Sequence, residues 1–273
     1  MLSKLLKYEF RDTARVIPFF YLIIVAFSIM ALTAKQIGLE WFIVTSSILL
    51  IVTGASLIVI TFVVIVMRFY KNLYSNEGYL MFTLPVKPKQ LLASKAIVAF
   101  TWIIASFLVF IGALCVSLYS LGVDSSDLSS IISEFKKYGL EKAIYIIIPL
   151  MLLSILYFLS QIFFSITVAN TPAFHSMGVG AGFLVFFATY VILQIVQSVV
   201  TVFIPLSLEI NLIGNVSVSL SNKNMFGFFV ESIKGIEPTS ITIGLGGYLF
   251  VVIMICVLFY VTGRLMNKKV SLR

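Results

Sequence analysis

Six stretches of this chain, 16–34, 41–67, 96–120, 143–169, 177–204 and 241–263, contain no Asp, Glu, Lys, Arg or His. A bilayer core of about 30 Å takes roughly 20 apolar residues of helix to cross, so each stretch predicts a transmembrane helix. Several exceed the minimum and are expected to tilt or protrude. A water-soluble fold is excluded by the same residues. The chain is 60% hydrophobic and only 11% charged, with a mean hydropathy of +1.12, whereas soluble domains carry about a quarter charged residues. The expected fold is an all-α integral membrane protein with six transmembrane helices, forming one transmembrane domain over 1–273. The first run follows a basic start but is too long for the apolar core of a signal peptide and lacks a good cleavage site.

The net charge of +8 does not indicate nucleic acid, because the charge lies in short segments between apolar runs. Its distribution instead sets orientation. Lys4, Lys7, Arg11, Arg15, Arg68, Lys71, Lys87, Lys89, Lys95, Arg264, Lys268, Lys269 and Arg273 fall on one side. Lys35, Lys136, Lys137, Lys142, Lys223 and Lys234 fall on the other. Both termini are therefore expected in the cytoplasm, in a cell-membrane protein of N-in, C-in topology. Of the acidic residues only Glu9, Asp12 and Glu77 fall on the inner side. Cys115 and Cys256 both sit inside apolar runs and form no spaced disulfide or metal framework.

Between the runs, the segment from Asp124 to Lys142 has helical spacing. The mixed segment from Pro205 to Ser240 is expected to dip back toward the membrane. Its Asn215-Val216-Ser217 triplet matches a glycosylation sequon that chance explains. The segment Met1–Arg11 is amphipathic. At about 100° per residue, Lys4, Lys7, Arg11 and Arg15 share roughly 80° of arc, and Leu2, Leu6, Phe10, Thr13 and Ile17 cluster opposite. This pattern predicts a helix lying among lipid headgroups on the cytoplasmic face.

The loop from Arg68 to Lys95 is too polar to span and too apolar to be a solvated linker. Tyr70, Leu73, Tyr74 and Glu77 follow helical spacing, and Gly78 can end that turn. Pro85 and Pro88 then stop any continuous helix. Exposed aromatics there fit either a protein-binding surface or an interfacial aromatic belt. In the fifth run, Tyr190, Gln194, Gln197 and Thr201 fall within about 60° of one helix face. Such polar groups avoid lipid and face the bundle or a wet path. Gly178-Val-Gly-Ala-Gly182 contains a small-xxx-small pair suited to close helix packing.

The order of an amphipathic N-terminal helix, two spans, a helical loop with Asn76-Glu77-Gly78-Tyr79, a Leu84-Pro85-Val86-Lys87-Pro88 turn, Leu91-Leu92-Ala93-Ser94-Lys95 and a third span resembles the permease subunits of ABC-type exporters of the second class, whose fold is shared with the G-type transporters. The resemblance covers the six-span plan and is specific only over Arg68–Lys95. It implies a cytoplasmic coupling helix between spans 2 and 3, with Tyr74, Asn76, Glu77, Gly78 and Tyr79 at or near an ATPase subunit. It also implies a second permease subunit, identical or homologous, and a path bordered by the fifth helix. ATP and Mg²⁺ would be held by the partner. No Gly-x-x-x-x-Gly-Lys-Ser/Thr loop occurs in this chain, so no cofactor is expected on it by that device. His175 is the only histidine, which disfavours a metal site, and no catalytic cluster is evident, so the chain is not expected to be an enzyme. A secondary transporter or channel, a membrane enzyme acting on lipids or peptides, and a non-transporting scaffold or sensor subunit are the alternatives. The first would need an intramembrane charge, broken helices or repeated halves, and the second nucleophile and acid–base groups at membrane depth, none of which the sequence shows. The orientation leads to one prediction: single-cysteine labelling from outside intact cells should modify Ser125→Cys and leave a cysteine in the C-terminal tail untouched.

Overall fold

A computed structural model describes residues 2–75, 87–123, 126–127, 129–130, 133, 136, 140–172, 174, 180–211, 218–222, 225–227, 233 and 240–268. Seven helices and three strands are described: α1 (Leu2–Thr13), α2 (Ile17–Ile37), α3 (Glu40–Tyr74), α4 (Pro88–Ser120), α5 (Leu140–Ala169), α6 (Gly180–Phe203), β1 (Ser207–Asn211), β2 (Val218–Ser221), β3 (Ser240–Gly244) and α7 (Gly246–Lys268). Helices α2 to α7 each hold a segment long and apolar enough to cross a membrane. The predominantly helical membrane architecture expected from the apolar runs is therefore present, and the chain is a multi-pass membrane protein. Contacts divide it into two compact units, Met1–Leu128 and Ser129–Ser271.

In the first unit, α2 and α3 form a hairpin linked by Gly38 and Leu39, and α3 packs along α4. Ile24, Ala31, Leu50, Leu57 and Ala113 make its apolar core. Apolar packing alone discriminates poorly between helices in lipid, because lipid tails are equally apolar. Hydroxyl pairs supply the specificity. Tyr21 Oη and Ser106 Oγ share a hydrogen bond of 3.0 Å, and Thr61 Oγ1 meets the same Ser106 Oγ at 2.8 Å, which joins α2, α3 and α4 at one point. Ser47 Oγ and Ser120 Oγ pair at 2.6 Å further along. Such interhelical bonds are worth about 0.6–1.7 kcal/mol each. At the far end, Lys35 Nζ donates to the Tyr119 carbonyl at 2.7 Å and lies 3.6 Å from the Tyr119 ring centroid.

At 1.5 Å per residue, the 35 residues of α3 and the 33 of α4 reach about 50 Å each. Both therefore overrun a bilayer core of about 30 Å. The expected separate helix in the loop does not begin at Tyr70: Tyr70, Leu73 and Tyr74 are the last turns of a continuous α3.

In the second unit, Tyr157 of α5 packs with Val251, Ile255 and Leu258 of α7, and Leu193 of α6 joins them. The segment after α6 differs from expectation. Instead of a stretch dipping toward the membrane, its described part is a three-stranded antiparallel sheet of order β2-β1-β3. Ser207 pairs with Ser221 on one side and Gly244 on the other. Residues 241–244, counted above as the start of the sixth span, belong to this sheet, and α7 starts at Gly246. The reason is local: Ser207-Leu-Glu-Ile-Asn and Ser240-Ile-Thr-Ile-Gly alternate polar and apolar residues with the period of a strand.

Helices α3 and α4 pack closely at Gly54, where an added Cβ would lie 2.7 Å from Phe110 Cδ2 and 3.7 Å from Ala113 Cβ. Gly54→Val should therefore destabilise the detergent-solubilised protein by about 1–3 kcal/mol, read as a lower thermal midpoint. Gly112→Ala, where a Cβ meets nothing within 4 Å, should leave that midpoint unchanged.

Candidate functional site

Helix α1 carries a carboxylate in the middle of its apolar face. At about 100° per residue, Leu2, Leu5 and Thr13 all lie within about 40° of Glu9. A charge on such a face is costly unless a cation meets it. The cation is Lys95, in the third turn of α4: its Nζ donates to Glu9 Oε1 at 2.5 Å, and the two side chains are 5% and 9% exposed. One turn further along α1, Asp12 Oδ2 lies 2.5 Å from Arg68 Nη2 of α3, and Arg68 Nε is 4.0 Å from Glu9 Oε2. Two carboxylates and two cations thus form a neutral cluster on three helices.

The cluster continues as a hydrogen-bond chain. Trp102 Nε1 of α4 donates to Thr13 Oγ1 at 2.7 Å, and Thr13 Oγ1 donates to the Glu9 carbonyl at 2.7 Å. The Trp102 ring lies between Phe10 and Tyr21, at centroid distances of 6.3 and 6.2 Å. Helix α1 is therefore fixed by charge, hydrogen bond and aromatic contact to α4, and by charge to α3. Arg68 and Lys95 flank the loop between those two helices, so α1 bridges both arms of the loop.

The residues singled out in the sequence are placed as follows. Lys4, Lys7 and Arg11 are exposed on α1, with Arg15 exposed in the turn that follows. Tyr74 is 1% exposed, its ring 6.2 Å from that of Phe69, so it is a core group at the end of α3. Asn76, Glu77, Gly78 and Tyr79 lie outside the described residues. The four polar residues of the fifth run lie on α6 in two different settings. Tyr190 and Gln194 are exposed, whereas Gln197 and Thr201 are half-buried. Tyr190 stacks on Phe186, which meets Phe158 of α5 edge-on. Thr201 packs against the junction of β3 and α7: an added Cβ at Gly244 would lie 2.7 Å from Thr201 Cγ2. Its hydroxyl donates within α6, to the Gln197 carbonyl at 2.8 Å. Among the described residues, none of the four makes a side-chain hydrogen bond to another helix.

In the sequence Arg68 and Lys95 stand out as orientation charges and as the ends of the loop that carries the resemblance, not as partners of an acid, and Glu9 and Asp12 stand out only as acids on the inner side. The signal that could have found the cluster was Glu9 itself, an acid centred on an apolar helix face. No group of three or more His, Cys, Asp or Glu suited to a metal ion occurs among the described residues. No family model, curated protein or solved structure matches the chain.

The cluster predicts a particular double-mutant cycle. Lys95→Met leaves Glu9 charged and buried and should cost about 3–5 kcal/mol. Glu9→Met/Lys95→Met should recover most of that loss. Asp12→Asn, at a carboxylate 55% exposed, should cost no more than about 1 kcal/mol. Equilibrium unfolding in mixed micelles measures all three.

Proposed function

We propose that this chain is the transmembrane subunit of an ATP-driven exporter. In this proposal two such subunits, identical or homologous, form the path. Two ATPase subunits holding ATP and Mg²⁺ attach at the cytoplasmic face. Their closure drives the pair from inward- to outward-facing by rigid-body movement. The cargo is an amphipathic or lipophilic compound such as a drug or antimicrobial peptide, in keeping with spans that carry no ionisable group.

The observation that carries the proposal is the α3–α4 hairpin end. Its loop holds the Asn76-Glu77-Gly78-Tyr79 and Leu84-Pro85-Val86-Lys87-Pro88 patterns, and both of its arms are bound to α1 through Arg68 and Lys95. A loop that transmits a push needs arms that do not give separately. On the α4 arm a buried charge pair and a hydrogen-bonded tryptophan resist loss of their partners, and the α3 arm is tied by the more exposed Arg68–Asp12 pair and by its packing along α4. In that setting Tyr74 acts as a core anchor of the arm, and Asn76 to Tyr79 remain the contact residues.

A second support comes from α6. Tyr190 and Gln194 present polar groups on an uncovered face of an apolar helix. Unsatisfied polar groups are expensive in hydrocarbon, so this face suits a wet path or the second subunit better than lipid. Gln197 and Thr201, half-buried against their own unit, would form the inner margin of that path.

The sequence has no phosphate loop, so the purified chain alone should hydrolyse no ATP. With its ATPase present, Glu77→Lys should reduce co-purification of that subunit, or reduce transport per ATP hydrolysed, by about tenfold. This corresponds to about 1.4 kcal/mol at a charged contact. Membrane insertion should be unchanged, since no span is altered. Wild-type values of both quantities in Glu77→Lys would refute the coupling role of this loop.

A further inference from the structure

Helix α1 has two charged faces with different fates. Both of its carboxylates are paired with cations of neighbouring helices, Glu9 buried against Lys95 and the 55% exposed Asp12 against Arg68. Lys4, Lys7 and Arg11 are exposed on the opposite side, and exposed Arg15 follows in the turn to α2. Lys71, one turn beyond Arg68, and Lys87, just before α4, are exposed at the same end of the unit. Among the described residues there, Glu9 and Asp12 are the only acids. The pairing therefore leaves Lys4, Lys7, Arg11 and Arg15 as a basic outer face, because the exposed acid beside it, Asp12, is already matched by Arg68. That face adjoins the membrane, because only Ala14–Val16 separate α1 from the apolar span that begins at Ile17. Tyr8, 67% exposed beside Lys7, adds an amphipathic ring of the kind enriched at headgroup depth.

We propose that this face of α1 is a binding site for the headgroups of anionic phospholipids. Charge complementarity favours them over zwitterionic lipid, and each Lys or Arg held near an anionic surface adds about fivefold to binding, less as salt rises. Neutralising Glu9 and Asp12 from within is what makes the site possible. Unpaired, those two carboxylates would cancel half of the four positive charges at Lys4, Lys7, Arg11 and Arg15. Because the inner face of the same helix grips both arms of the α3–α4 loop, a bound headgroup also fixes the position of those arms.

The test uses the full chain, purified and depleted of lipid, then offered equal phosphatidylglycerol and phosphatidylcholine. Bound lipid is counted by native mass spectrometry. The wild type should retain phosphatidylglycerol in roughly tenfold excess. Lys4→Gln/Lys7→Gln/Arg11→Gln/Arg15→Gln should lose that preference, while Lys4→Arg/Lys7→Arg should keep it. Lys136→Gln, an exposed charge in the other unit, should also keep it. An unchanged preference in the quadruple Gln variant would overturn the proposal. So would displacement of the phosphatidylglycerol by equimolar polyglutamate, which would assign the face to an acidic protein segment. An equal thermal midpoint for wild type and quadruple variant would show that α1 remains docked. The readout needs no ATPase, so it stands or falls independently of the transport proposal.

Discussion

A carboxylate centred on the apolar face of a helix cannot be left without a cation, and much of the first unit is organised around meeting that demand. Glu9 is met by Lys95, and the pair is almost wholly buried. Breaking such a pair costs more than forming it gains, because the remaining charge keeps its desolvation penalty. The pair therefore adds little net stability but strongly fixes where α1 lies. Once α1 is placed, Thr13 reaches Trp102, and Asp12 reaches Arg68. The two arms of the α3–α4 hairpin are then held by one short helix.

Away from that end, the constraint changes from charge to hydroxyl geometry. Lipid gives helices no apolar reason to prefer one another over the solvent around them. In the first unit, Tyr21, Thr61 and Ser106 select one arrangement of three helices, and Ser47 with Ser120 repeats the device between α3 and α4. Gly54 allows α3 and α4 to come close enough for those short hydroxyls to meet. In the second unit, the packing of Tyr157 with Val251, Ile255 and Leu258 joins α5 to α7. Helix α6 is covered less: of its residues only Ala181 is buried. A helix so little covered, with Tyr190 and Gln194 on its open side, is the element of this unit most suited to meet something beyond the chain.

The helices were legible in the sequence because ionisable residues are excluded from lipid at every position, and that exclusion writes each span directly into composition. Their ends were less legible. Apolar character continued to the end of α3, where Leu73 and Tyr74 are buried within the unit. At Ile241–Ile243 a five-residue strand had been absorbed into a neighbouring apolar run, although its alternation was visible. The basic face of α1 was legible from spacing alone. The cluster was not: Glu9, Arg68 and Lys95 are 59 and 27 residues apart in sequence, and no local pattern links them.

The sequence by itself determined that this chain is a helical, multi-pass membrane protein, and which residues are available at its charged ends. Those properties depend on the free energy of transferring each side chain into hydrocarbon, a sum over residues that needs no knowledge of neighbours. Tertiary structure alone decided that Glu9 belongs with Lys95, that Tyr74 is interior and that Gln194 is uncovered while Thr201 is packed. Each of these is a pairwise fact. Whether a buried charge is tolerated, or a polar group is satisfied, depends on which atom stands within about 3 Å of it, and in this fold that atom comes from a distant part of the chain.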